Sequence, residues 1–215
     1  MKARTMISVV AALSFVAAAN LDKGVRWVFE DAPAGKLPEG WSVAKTGKGP
    51  DSVWKVTEDA SAHSGKQVLA QLAAYGPNRL FNLCVCDESN LKDVEVSVAV
   101  KAVKGKLDQG GGPLWRYKDQ NNYYIARLNP LENNFRVYKV ENGKRTQLAT
   151  AEVEATAGKW YTIRITHKGN HIRCYLNGKL HLDVKDATFS KIGPVGLWTK
   201  ADAVTSFDDF TYGDI

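Results

Sequence analysis

Histidine, cysteine and methionine are scarce in this chain: four, three and two among 215 residues. His63, His167, His171 and His181 stand in no recognisable motif, and a metal site is the lesser reading of the three cysteines. The chain has no G-x-S-x-G elbow, which argues against a serine hydrolase. Gly110-Gly111-Gly112 lacks the lysine and following helix of a phosphate loop. Basic residues never run five together, so nucleic acid is not an expected partner despite a formal charge of +6. Beyond residue 19 no apolar run is long enough to span a bilayer.

The opening residues are of another kind. Lys2 and Arg4 precede an apolar run from Met6 to Val16, and Ala17-Ala18-Ala19 fits a small-residue cleavage rule. A signal peptide is therefore expected over 1–19, with a mature chain over 20–215 beginning at or near Asn20. Export to the periplasm or the cell exterior follows from it. Losing Lys2 and Arg4 takes the 29 Lys+Arg to 27, against 23 Asp+Glu. The remaining length suits one domain.

A composition of 44% hydrophobic and 24% charged residues excludes disorder. Six Trp, eight Tyr and seven Phe favour strands. The dominant pattern has period two. Val94, Val96, Val98 and Val100 alternate with Glu95, Ser97, Ala99 and Lys101, as in a strand buried on one face. Tyr161, Ile163 and Ile165 repeat the pattern, as do Ile172, Cys174 and Leu176. Asn142-Gly143 and Asn177-Gly178 supply the positive φ angles of primed hairpin turns, and Lys168-Gly169-Asn170 reads as a further turn. More than a dozen such strands are discernible and no window keeps a helical period. The expected fold is all-β, a single antiparallel two-sheet jelly roll. Gly110-Gly111-Gly112 is expected as a loop between strands.

Cys84 and Cys86 lie two apart in one strand, point the same way and cannot easily bond each other. Cys174 alternates with Ile172 and Leu176 and reads as a small buried hydrophobe. A bridge from it to Cys84 or Cys86 is left open.

The segments Asp108-Gln109-Gly110-Gly111-Gly112-Pro113-Leu114-Trp115-Arg116-Tyr117 and Asn122-Tyr123-Tyr124-Ile125-Ala126-Arg127-Leu128-Asn129 carry a resemblance. So do Gly196-Leu197-Trp198-Thr199-Lys200-Ala201-Asp202 and Phe207-Asp208-Asp209-Phe210. The chain resembles exported bacterial concanavalin A-like domains grouped with family 16 glycoside hydrolases and 3-keto-disaccharide hydrolases. The resemblance implies a lectin-like sandwich with a concave sheet suited to sugars. It also implies, if the protein is an enzyme, hydrolysis of a keto-sugar.

Sugar hydrolysis usually needs two carboxylates on one groove. The E-x-D-x-E strand of family 16 glucanases is missing. Asp93 with Glu95, and Glu152 with Glu154, are same-face pairs, of which Glu95 is the candidate catalytic residue. The plainer reading of both pairs is a solvated strand face.

Register also defines a binding candidate. Trp115, Tyr124, Ala126, Leu128, Phe135 and Val137 fall on one side of three successive strands and read as core. Arg116, Tyr123, Arg127, Asn129, Arg136 and Tyr138 fall on the other, a surface of planar donors and aromatic rings on which sugars pack and hydrogen-bond. Trp198 and Lys200 share a side and extend this set, Trp198 as platform or core. Glu30, Asp31, Asp208 and Asp209 would meet if the first and last strands pair, offering oxygens to a structural calcium or simply capping turns. The expected protein is thus a monomeric carbohydrate-binding domain. A keto-sugar glycosidase and an envelope-associated interaction module are the alternatives.

Overall fold

The computed structural model describes residues 24–215, so the expected signal peptide lies outside the described residues. The alternating runs form strands β1 (Val25–Trp27), β2 (Trp41–Thr46), β3 (Trp54–Glu58), β4 (Gln67–Gln71) and β5 (Phe81–Leu91). There follow β6 (Val94–Lys104), β7 (Gly112–Asp119), β8 (Asn122–Asn129), β9 (Asn134–Glu141) and β10 (Lys144–Glu152). The last are β11 (Trp160–Lys168), β12 (His171–Leu176), β13 (Lys179–Lys185), β14 (Gly193–Lys200) and β15 (Val204–Asp214).

They make two antiparallel sheets. The first runs β13-β12-β11-β6-β15-β4-β3, with β1 added to β15 as an eighth strand, and the second runs β10-β9-β8-β7-β14-β5-β2. First and last strands do pair, Val25 opposite Tyr212. The first strand ends at Trp27, and beyond it Phe29 turns into the left-handed region (φ 60) and puts its ring in the core. Asn142-Gly143 (φ 51 and 76) and Asn177-Gly178 (φ 48 and 80) make the two-residue hairpins their sequence demands.

The inner faces supply one core. Trp115, Tyr124, Leu128 and Phe135 of the seven-stranded sheet meet Val96, Val98, Ile163, Ile172 and Phe207 of the other. Each such side chain stabilises the fold by about 1.5–3 kcal/mol. Cys84, Cys86 and Cys174 belong to this core, free and unbridged. Burial pushes all three thiols up from their ordinary range.

The triple glycine runs from loop into sheet: Gly110 stays in the loop, as expected, and the next two residues do not. Gly111 bridges to Leu128 and Gly112 opens β7. A Cβ on Gly111 would sit 2.3 Å from the Trp198 carbonyl oxygen, and one on Gly112 would sit 2.2 Å from that of Ala126. The start of β7 fits between β8 and β14 only without side chains.

Candidate functional site

A second apolar layer lies on the outer face of the seven-stranded sheet. Phe81, Leu83, Leu114, Tyr123, Ile125, Tyr138, Val140 and Trp198 pack there apart from the main core, all from strands of that sheet. Register assembles them: Tyr123 lies opposite Val140, Ile125 opposite Tyr138 and Arg127 opposite Arg136. Arg145, opposite Val140 on β10, lies over the layer. Its guanidinium is 4.4 Å from the Tyr138 ring centre, 5.2 Å from Phe81 and 5.6 Å from Trp198.

Polar groups continue from this floor. Glu132 accepts from Arg127 and Arg136, each at 2.9 Å, and separates two cations that register places side by side. Partial burial opposes its ionisation, but hydrogen bonds from Asn134 and Arg127 and the two guanidinium charges hold its carboxyl at about 2. Arg127 also donates to Asn134 Oδ1 (2.7 Å) and the Tyr138 hydroxyl (3.3 Å). Lys200 donates to Asp108 (2.7 Å), whose other oxygen accepts from Asn129 (3.1 Å). Burial raises Asp108 against these favourable contacts. Two guanidinium nitrogens, Arg127 Nε and Arg145 Nη1, are buried with no acceptor among the described residues.

Two clefts open at this region and meet at Asn142. One, of about 580 Å³, is lined by Asn78, Arg79, Phe81, Lys144, Arg145 and Lys200 around the hairpin tip. The other, of about 560 Å³, is lined by Tyr117, Asp119, Gln120, Asn121 and Asn122. Aromatic edges, carboxamides and guanidinium forks are groups that hold ring hydroxyls in place.

The residues expected from sequence are divided by the structure. Tyr123, Arg127, Tyr138, Trp198 and Lys200 share the outer face, but none is an open platform. Tyr123 and Trp198 are wholly buried beneath the layer's own covering, and Tyr123 joins its hydroxyl to Thr46 Oγ1 at 2.7 Å. Arg116 is elsewhere. Its backbone turns left-handed (φ 47), pairing between β7 and β8 lapses between Trp115 and Asp119, and the side chain leaves the face that simple alternation assigns. It is a buried strut, donating to the carbonyls of Lys92 (2.8 Å), Phe189 (2.8 Å) and Gly169 (3.0 Å). Beside it His167 receives the Trp115 indole N–H at Nδ1 (3.0 Å) and has Arg116 Nη1 2.9 Å from Nε2. Burial, then the Arg116 charge, lowers His167 to about 3.

The carboxylate candidates separate likewise. Glu95 lies on the eight-stranded sheet, paired to Arg164 at 2.9 Å, while Asp93 accepts from Gly169 N–H at 2.8 Å. Glu152 and Glu154 line a separate cleft of about 450 Å³ with Tyr161, Lys179 and His181. Asp209 meets the first strand through Arg26, but the oxygens of both acids are occupied by donors: Ser64 N–H (2.7 Å) on Asp208, Arg26 and His63 (both 2.6 Å) on Asp209. Glu30 accepts from Lys66 and Gln67 N–H, and Asp31 is exposed. Among the described residues no group of three or more His, Cys, Asp or Glu side chains is placed to hold a metal ion. These acids accept hydrogen bonds at turns and strand edges.

Arg145 is the residue sequence reasoning missed. The signal was present: a two-residue Asn142-Gly143 turn sets Arg145 opposite Val140 and so on the face of Tyr138.

The fold has relatives among solved structures. It superposes on the carbohydrate-binding module CBM66 from Bacillus subtilis with a TM-score of 0.63 at 20% identity, covering 81% of this chain and 96% of that one. It superposes on the cellulose-induced protein Cip1 with a TM-score of 0.63 at 14% identity, covering 89% and 97%. In sequence, 96 residues are 29% identical to a levanase of Bacillus subtilis strain 168. That stretch is 44% of this chain and 14% of the levanase, so the chain spans a small part of that relative's length. Residues 29–211 match one family along nearly all of the described structure: the chain belongs to the 3-keto-alpha-glucoside-1,2-lyase-like domain family.

Proposed function

We propose that this is an exported carbohydrate-binding domain whose ligand lies on the outer face of the seven-stranded sheet, in the clefts that meet at Asn142. The observation that carries the reading is the half-buried Arg145 of the hairpin cleft, which has an unpartnered guanidinium nitrogen over the aromatic layer. A buried donor without an acceptor costs about 1–3 kcal/mol, and sugar oxygens supply acceptors. The structural relatives include a carbohydrate-binding module, which supports the same reading. In this arrangement Tyr138 and Phe81 act as a floor beneath Arg145, and Asn142, Asn121 and Asn122 form the rim. The export assigned to it rests on the leader-like opening of the sequence.

A glycan array probed with the purified chain, followed by titration calorimetry of any hit, tests this. Binding to at least one saccharide, weakened tenfold or more by Arg145→Ala with the melting temperature retained, is the expected result. No saccharide bound at millimolar concentration would refute it.

A second reading is supported by the cleft of Glu152, Glu154 and His181 together with the family description. A ketone at C3 of a glucoside acidifies the C2 proton, so one base suffices to remove it while the C1–oxygen bond breaks and the departing oxygen takes a proton. Incubation with a 3-keto-disaccharide, followed by product analysis, decides it: turnover lost in Glu154→Gln supports the reading, and no turnover above buffer contradicts it.

A further inference from the structure

The wall of the larger cleft has one sign of charge. Arg79, Lys144, Arg145 and Lys200 line it and no carboxylate does. Lys200 is paired with the buried Asp108 behind it. Among the described residues Arg79, Lys144 and Arg145 have no carboxylate within 4.0 Å. Arg145 is the costly member. It is partly taken out of water over three aromatic rings, one of its terminal nitrogens is buried and unpartnered, and a second guanidinium, Arg127, acts on it along with the carboxylates of Asp108 and Glu132, neither of which it touches.

Asp108 and Glu132 are already shared with Lys200, Arg127 and Arg136. A desolvated cation with no carboxylate in direct contact is expensive to keep, and an anion placed against it recovers part of that cost. Aromatic faces offset part of it but cannot replace a carboxylate fork. A neutral sugar would satisfy the lone Arg145 nitrogen yet leave the excess charge of the cleft in place. An acidic sugar does both. Its oxyanion meets Arg145 bidentately, with Lys144 and Arg79 at the rim, while its ring lies towards Phe81.

We infer that the cleft beside the Asn142-Gly143 hairpin selects anionic saccharides, binding a carboxylate or sulfate substituent through Arg145. This rests on the reading of the face as a sugar site and adds the charge class of the ligand.

The test uses matched pairs: oligogalacturonate against its methyl ester, and a sulfated galactan oligomer against its desulfated form. Each is titrated into the full chain and into Arg145→Gln, Arg145→Lys and the rim variant Lys144→Gln. The expected result is at least one acidic member bound tenfold or more tighter than its neutral partner. That preference should shrink to near unity in Arg145→Gln, be partly kept in Arg145→Lys, and weaken several-fold as salt rises from 50 to 500 mM (roughly a threefold drop in screening length). Which pair responds distinguishes carboxylate from sulfate. Should Arg145→Gln fail to fold, Lys144→Gln with the salt series decides the matter in its place, by a preference that shrinks or one that stays. Neutral members binding as well as acidic ones would overturn the inference while leaving the sugar site standing. Binding of no member of either pair, beside neutral glycans that do bind, would overturn it too. No binding to any glycan would remove both.

Discussion

The guanidinium of Arg145 stands 4.4 Å from the centre of the Tyr138 ring, and that of Arg127 stands 5.8 Å from the same ring. One phenol therefore faces two cations, and its hydroxyl also accepts from Arg127 at 3.3 Å. The Tyr138 ring packs between the two arginines and is almost wholly buried in doing so. The aromatic residues of this face position donors more than they offer rings.

This arrangement changes what Tyr123 should do. With its hydroxyl bonded to Thr46 and its ring fully buried, Tyr123→Phe should cost about 1 kcal/mol of stability. Tyr123→Ala should cost about 3–5 kcal/mol, as for other buried aromatics. Urea denaturation checks both. An unchanged midpoint for Tyr123→Ala would mean that the layer is open to solvent.

Arg116 should matter for folding and not for ligand. Arg116→Ala leaves the carbonyls of Lys92, Phe189 and Gly169 without their donor, at an expected loss of about 3 kcal/mol or more. Any saccharide affinity should stay within twofold of the original at temperatures where the variant is folded. A large affinity loss with full stability would move Arg116 into the binding site.

Acid should destabilise the fold in two windows. His167 has a folded value of about 3, below its unfolded value near 6.5, so the unfolded chain takes up the proton first. Stability therefore falls as pH drops from about 6.5 towards 3, by as much as about 2 kcal/mol between pH 7 and 5. Glu132, held at about 2 against an ordinary 4.5, contributes stability that is present above 4.5 and lost as pH falls towards 2. The windows separate, since between pH 6.5 and 5 only His167 of these two titrates. Urea midpoints at pH 7 and 5 should differ in the unmodified chain, and the difference should shrink in His167→Gln. Equal midpoints would contradict the buried neutral imidazole.

Glu95→Gln should be silent in function. Its buried carboxylate pairs with the half-buried Arg164 on the neighbouring strand of the same sheet, away from the candidate site, and glutamine keeps an acceptor there, for an expected loss of about 1 kcal/mol. Glycan affinity should be unchanged and the melting temperature should fall by no more than a few degrees. A hundredfold loss of any sugar turnover would instead mark Glu95 as an acid or base of that reaction.

Much of the fold was legible because period-two alternation and the Asn-Gly turns are local signals. Val94 to Val100 and Asn142-Gly143 need nothing distant to be read. The candidate site was legible in part. Alternation placed Tyr123, Arg127 and Tyr138 on one face, and they share it. It misplaced Arg116, since one left-handed residue breaks the period and nothing in Trp115-Arg116-Tyr117 announces it. Burial of that face was not legible either. Its cover comes from Arg145, on a strand paired only through β9. Which side a residue faces is a local property, and what lies over it is not.

Where the ligand sits can be read residue by residue in a heteronuclear NMR titration with a glycan hit. Amide shifts should move first and most at Asn78–Phe81, Asn121–Asn122 and Asn142–Arg145, with the Arg145 guanidinium signal slowed in exchange. Little change is expected on the opposite sheet at Arg164, Arg173 and Tyr175. Perturbations centred on those last residues, or on Glu152–Glu154 and His181, with Asn142–Arg145 still, would contradict a site at the Asn142-Gly143 hairpin.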